Sequence, residues 1–302
     1  MKTLVTGATG AVGGHLARAL RESDTEVRAL VRDPAKAGDL ETAGCELHEG
    51  DVLDARSLRG AGQGADVAYY LVHGMGRGAH GDFAARERKA ASNFARMAKA
   101  EGVARVIYLG GLGENPASEH LRSRAETAKT LADEGPALTY FRAAMLIGVQ
   151  SESYRMLRQL VAKLPVMLAP RWLKTATQPI ALEDAVAYLA GAPDVPASEG
   201  REVQIGGPEV VSYGGLLDRM AVALDREPRP KIPVPVLSPT LSSHWIGLVT
   251  DVDAGLAKPL IEGLSTETVV NDPSGALLFD IEPMSVDAAL RRAVGEETQL
   301  VG

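Results

Sequence analysis

Thr6-Gly7-Ala8-Thr9-Gly10-Ala11-Val12-Gly13-Gly14 decides how this chain folds. It stands between a short apolar run, Lys2 to Thr6, and a helical pattern over Val12 to Arg21, and that context gives a glycine spacing its meaning. Gly7 permits a tight turn, Gly10 lets backbone approach an anion without a Cβ in the way, and Gly13 allows helix and strand to pack closely. A helix that opens near Ala11 presents unpaired N–H groups and the positive end of its dipole. The loop therefore predicts a seat for a dinucleotide pyrophosphate, built from Gly7, Thr9, Gly10, Ala11, Val12 and Gly13.

Outward from that loop, apolar runs alternate with helical patterns, the rhythm of βαβ units and a parallel sheet. Strands are expected at Lys2 to Thr6, Glu26 to Val31, Glu46 to Glu49, Asp66 to Val72, Arg105 to Leu109 and Leu138 to Arg142. Helices rich in Ala, Leu, Arg and Glu are expected at Val12 to Arg21, Asp82 to Glu101 and Arg122 to Asp133. Six strands in this order predict an α/β, doubly wound parallel sheet. The rhythm changes near Gly148, where helices at Tyr154 to Ala162, Glu183 to Ala190 and Gly215 to Leu224 are separated by short extended pieces such as Glu202 to Ile205. Residues 1–148 are read as a nucleotide-binding core and residues 149–302 as a smaller irregular region, interleaved with the core as one unit. The C-terminal stretch around Glu296 and Glu297 is expected to fray.

The 302 residues carry 32 Lys plus Arg against 39 Asp plus Glu, a net charge of −7, with 45% hydrophobic residues. That is globular composition, and it lacks the basic footprint that nucleic acid or an anionic membrane surface requires. One cysteine, Cys45, rules out an intrachain disulfide framework and thiolate-rich metal sites, and no metal is expected. No apolar run reaches the roughly 18 residues of a membrane span. Met1 and Lys2 lead directly into the first strand, so a cytoplasmic protein without a leader is expected.

The Gly-x-x-Gly-x-x-Gly spacing of Gly7, Gly10 and Gly13 resembles the extended and atypical short-chain dehydrogenase/reductases. Tyr70-Leu71-Val72-His73, Val106-Ile107-Tyr108-Leu109-Gly110-Gly111, Gln178-Pro179-Ile180-Ala181-Leu182-Glu183-Asp184 and Ile205-Gly206-Gly207-Pro208-Glu209 are similar to the NmrA-like, NAD(P)H-binding subgroup, so the resemblance extends over nearly the whole chain. It implies a Rossmann core and a nicotinamide cofactor. Where the family often has an acid for the ribose 2′-OH of NAD, this chain has Arg32, which suits a 2′-phosphate, with Lys36 as helper, so NADPH is expected over NADH. Asp33 beside it keeps NADH open. Asp51-Val52 resembles the family's pair at the adenine edge, although Asp51 also reads as a helix N-cap before Leu53.

The resemblance also implies a catalytic Ser at the end of the fifth strand and a Tyr-x-x-x-Lys pair on the next helix. The chain departs at all three, with Gly110 and Gly111 for Ser, His120 for Tyr and Arg124 for Lys. His120 and Arg124 lie one helical turn apart, which places Arg124 within reach of the nicotinamide ribose. His120, with a reference pKa of about 6.5, and His73, at the end of the fourth strand, are the candidate acids. Tyr154, Met156, Arg171, Trp172 and Trp245 are the candidates for lining the substrate space, with plain core as the alternative for each apolar one. Three readings follow: an NADPH-dependent reductase of a quinone or aryl ketone, a non-catalytic NADPH-binding sensor or partner-binding protein, and an assembly factor. The expected partner is a small carbonyl or quinone, with a homodimer left open.

Overall fold

A computed structural model of the chain describes residues 1–72, 83–113, 119–164, 166–169, 171–233 and 264–301. The first half alternates as its periodicity requires: β1 (Lys2–Thr6), α1 (Ala11–Glu22), β2 (Glu26–Val31), α2 (Gly38–Thr42), β3 (Glu46–Glu49), β4 (Val67–Tyr70), α3 (Phe83–Ala100), β5 (Arg105–Gly111), α4 (Glu119–Glu134) and β6 (Ala137–Ala143). β4 is shorter than expected, because Leu71 and Val72 leave the ladder to form the wall against which Gly7 packs.

The second half contributes β7 (Leu146–Ile147), α5 (Glu152–Lys163), β8 (Met167–Ala169), β9 (Ala176–Thr177), β10 (Ile180–Ala181), α6 (Leu182–Gly191), β11 (Glu202–Ile205), β12 (Val211–Ser212), α7 (Tyr213–Ala223), β13 (Lys231–Pro233) and α8 (Val286–Val301). The tail expected to fray is this last helix. Arg158 of α5 pairs with Glu297, and Arg292 pairs with Glu296 and with Glu183 of α6, so the tail is tied down along its length.

The main sheet is parallel throughout, with strand order β11-β6-β5-β4-β1-β2-β3. It is a doubly wound Rossmann sheet extended by one strand beyond the expected six. The order reverses between β1 and β4, where such sheets take their ligands at the strand carboxyl ends. One face is buried under α1 and α6, with Leu16, Leu20, Tyr69, Ile107, Phe141 and Tyr188 in its core. The other lies under α3 and α4, around Tyr70, Phe94, Tyr108 and Leu131. A second core joins α5, α7 and α8 through Tyr154, Leu157, Leu160, Leu216, Met220 and Leu290. Cys45 is buried and unpaired. Among the described residues, no helix is long and apolar enough to cross a membrane.

Candidate functional site

β1 ends at the switch point, and its last residue ties the two neighbouring strands together: the Thr6 hydroxyl donates to Tyr69 O at 2.9 Å and accepts from Leu71 N–H at 3.2 Å. Gly7 follows with φ +69°, and a Cβ there would lie 2.4 Å from Leu71 O. Gly10 N–H donates back to Gly7 O at 2.9 Å and closes the turn. A Cβ on Gly13 would lie 2.2 Å from Gly7 O, so helix and loop touch backbone to backbone. Only glycine fits either place.

α1 then opens without a side-chain cap and without an acid in its first turn. Its first repeat bond runs from Gly14 N–H to Gly10 O, which leaves the N–H groups of Ala11, Val12 and Gly13 with no acceptor inside the helix. Thr9 and Gly10 are exposed. Free donors, a positive dipole end and no competing carboxylate make this a fit for a bound pyrophosphate.

Beyond β2, Arg32 is exposed and engaged by none of the hydrogen bonds or ion pairs among the described residues. Lys36 is different: its ammonium lies 3.2 Å from Asp33, whose other oxygen accepts from Ala35 N–H. Asp33 is thus occupied within its own turn, and of the two exposed cations Lys36 carries an ion pair while Arg32 carries none among the described residues. After β3, Asp51 Oδ1 accepts from Leu53 N–H at 2.9 Å, and its N–H donates to Ser57 Oγ. The capping geometry is present, but a turn follows rather than the helix it was weighed against. Val52 is buried, and Asn93 of α3 donates to its carbonyl.

On the other side of the switch point, Gly110 and Gly111 end β5. Arg124 of α4 donates to Leu109 O at 3.3 Å, and Tyr108 Oη donates to Arg124 O at 3.4 Å. His120 lies in the first turn of α4, one turn before Arg124, and its side chain is outside the described residues, as are His73 and Trp245. Two further residues of β6 meet Gly110 and Gly111, and they were missed in the sequence. A Cβ on Gly110 would lie 2.6 Å from Tyr140 Oη. Arg142 donates to Gly111 O at 3.1 Å and to Gly113 O at 3.2 Å, and pairs with Glu202 at 2.9 Å. The signal was available: a glycine inside a strand commonly marks the close approach of another group. Burial raises the Tyr140 pKa, while the Arg142 and Arg124 guanidinium groups oppose the shift.

Of the substrate candidates, Tyr154, Met156 and Trp172 are buried side chains of the second core. Tyr154, Leu157 and Val161 lie on one side of α5 and are buried with α7, and Trp172 packs edge-on against Tyr213. Arg171 is exposed. Among the described residues, no His, Cys, Asp and Glu group is placed to hold a metal.

Residues 7–147 match the family described as NAD(P)H-binding. That stretch is similar to NAD(P)H-binding domains. The NAD(P)H-binding resemblance expected from the glycine spacing agrees with that match, and the expected Rossmann fold with the structure. Over 157 residues the chain is 31% identical to quinone oxidoreductase 2 of Escherichia coli K12, covering 50% of this chain and 49% of that enzyme. It spans less than a quarter of two other curated relatives. Two solved structures share the fold along the whole chain. A nucleoside-diphosphate-sugar epimerase of Staphylococcus aureus has a TM-score of 0.77 at 17% identity, covering 96% of this chain and 100% of that one. The Citrobacter sp. triphenylmethane reductase, complexed with NADP(H), has a TM-score of 0.75 at 17% identity, covering 97% and 100%.

Proposed function

We propose that this protein is an NADPH-dependent reductase of a small quinone or aryl ketone, acting in the cytoplasm. The observation that carries the reading is the uncapped N-terminus of α1 behind a loop whose glycines admit no side chain. In it, the backbone from Gly7 to Gly13 holds the pyrophosphate, and Arg32 reads the 2′-phosphate, helped by Lys36 once that side chain turns from Asp33. Asp51 and Val52 border the adenine, and Gly110 and Arg124 border the nicotinamide. Residues 1–148 form the cofactor half, and residues 149–302 cover the substrate side. Bound NADPH supplies the hydride. The chain's own residues bind, orient and exclude water, and holding reactants at near-attack distance accounts for much of the rate such a site needs. By their names, quinone oxidoreductase 2 acts on a quinone and triphenylmethane reductase on a triphenylmethane, which supports a small aromatic or quinonoid acceptor here.

The second reading is a cofactor-binding sensor, favoured by Gly110 and Gly111 at the expected serine position. One experiment separates the two. NADPH and NADH are titrated into the protein by fluorescence, and a panel of quinones and aryl ketones is then added. The reductase reading predicts turnover with at least one acceptor, whereas tight binding with no turnover supports the sensor. In the same titration, Arg32→Ala is expected to weaken NADPH by about tenfold and to leave NADH nearly unchanged, since a charge-assisted bond to phosphate is lost. Equal losses for both cofactors would remove Arg32 from the 2′-phosphate.

A further inference from the structure

We propose that the Tyr140 hydroxyl is the hydrogen-bond and proton donor to the acceptor's oxygen, occupying the space beside Gly110 where a side chain of β5 would otherwise stand. The proposal rests on the reductase reading.

Tyr140 reaches that space from the neighbouring strand. A Cβ on Gly110 would meet Tyr140 Oη at 2.6 Å and Cε2 at 2.7 Å, so the phenol fills the volume that glycine leaves. Its ring is fixed by stacking on Tyr108, with centroids 5.3 Å apart and planes 12° from parallel. Tyr108 is itself buried and bonded through its hydroxyl to Arg124 O, so the stack has a rigid base.

Three tyrosines stand in a row across β4, β5 and β6, and their hydroxyls differ. That of Tyr70 is sealed in the core, that of Tyr108 is bonded, and that of Tyr140 is half-buried with no hydrogen-bond partner among the described residues. A half-buried donor left without an acceptor at the carboxyl end of a doubly wound sheet stands where such sheets take ligands. At roughly 4.8 Å per strand, β6 lies about 14 Å from β1, on the side of the switch point opposite Arg32 and Asp51.

Arg124 and Arg142 are anchored on the carbonyls of Leu109, Gly111 and Gly113, and their guanidinium groups offset part of the burial that raises the Tyr140 pKa, with Glu202 acting in the direction of burial. Bound NADPH would supply a hydride to the acceptor carbon, whose C=O π pair would move to oxygen. The Tyr140 Oη–H bond breaks as that oxygen gains the proton, and water returns a proton to the phenolate. The acceptor is reduced by two electrons and the cofactor is oxidised by two.

The test uses the full chain as parent, Tyr140→Phe and Gly110→Ala, each saturated with NADP+ so that nothing turns over, and titrated with 1,4-naphthoquinone by tryptophan quenching. Tyr140→Phe keeps the stacked ring, and its affinity for NADP+ is expected to stay within about twofold of the parent. Its naphthoquinone Kd is expected to rise about fivefold, the effect of losing one neutral hydrogen bond. Gly110→Ala, whose added methyl pushes the phenol aside, is expected to show the same direction. A naphthoquinone Kd in Tyr140→Phe within about twofold of the parent overturns the assignment and leaves the reductase reading standing. A parent that binds NADP+ but neither binds nor, with NADPH, reduces naphthoquinone or aryl ketones overturns both.

Discussion

Gly13 and Gly110 show how a missing side chain can define a site from opposite directions. At Gly13 the missing Cβ lets α1 sit directly on the turn at Gly7, and at Gly110 it admits a phenol from another strand. Gly13→Ala would put a methyl 2.2 Å from Gly7 O, a contact that only backbone movement relieves. The expected cost is about 1–3 kcal/mol of folding stability, measured by urea denaturation, with a fall in NADPH affinity of about tenfold or more as the loop shifts. Unchanged affinity would mean that the loop does not hold the pyrophosphate. The role of Gly13 was legible because its neighbours are local in sequence. Tyr140 was not, because its place depends on the register that sets it beside Tyr108 and its ring over Gly110.

α8 was the element least legible in the sequence. Its local start is the Ser285 hydroxyl, which accepts from Ala288 N–H at 3.3 Å, and Asp287 in the first turn, but the groups that hold it against the rest of the fold are remote in sequence. Glu209 accepts from Arg219 of α7 at 2.7 Å and from Val286 N–H, at the first residue of α8, at 2.9 Å. Those bonds hold the Glu209 carboxyl below its ordinary pKa, the Arg219 contact first and the Val286 bond second. A group whose folded pKa is depressed stabilises the fold above its unfolded value and loses that stabilisation as pH falls through the folded one. Acid between about pH 5 and about pH 3 is therefore expected to loosen the start of α8. Asp184 accepts from Met284 N–H nearby, and burial raises its pKa, so it contributes with the opposite sign. Comparison with Glu209→Gln isolates the Glu209 part. Protection of the Val286 to Leu290 amides, taken relative to their intrinsic exchange rate at each pH, should fall in acid in the parent and show less dependence on pH in the variant; equal profiles would contradict the coupling. The six expected strands of the sheet were legible from their alternation with helical patterns, and that rhythm placed even Glu46 to Glu49, in which Leu47 alone is apolar. β11 was read only as an extended piece, because four residues at a sheet edge carry too little pattern to announce their partner.

Across the whole molecule, the two halves of the sequence share one sheet, and Arg105 is one of the groups that join them. It is 4% exposed and donates to Thr139 Oγ1 at 2.8 Å, Ala192 O at 2.7 Å and Ser198 Oγ at 2.6 Å, linking β5 and β6 to the turns before β11. Arg105→Met would remove all three charge-assisted bonds and leave Thr139, Ser198 and Ala192 O only their remaining bonds to Ser198 O, Val195 O and Val195 N–H, with an expected loss of about 3 kcal/mol by chemical denaturation. A loss below about 1 kcal/mol would show that the segment finds other partners. A sheet held this way keeps the loop at Gly7 and the cluster at Gly110, Tyr140 and Arg142 in fixed relation, which a reductase needs and a bare nucleotide-binding loop does not. The most direct measurement is a rapid-mixing experiment in which protein preloaded with NADPH meets 1,4-naphthoquinone, while nicotinamide absorbance and quinol product are followed together. The account predicts that bound NADPH disappears with an equal amount of quinol formed; NADPH that stays bound and reduced, with this and every other quinone or aryl ketone tried, would contradict it.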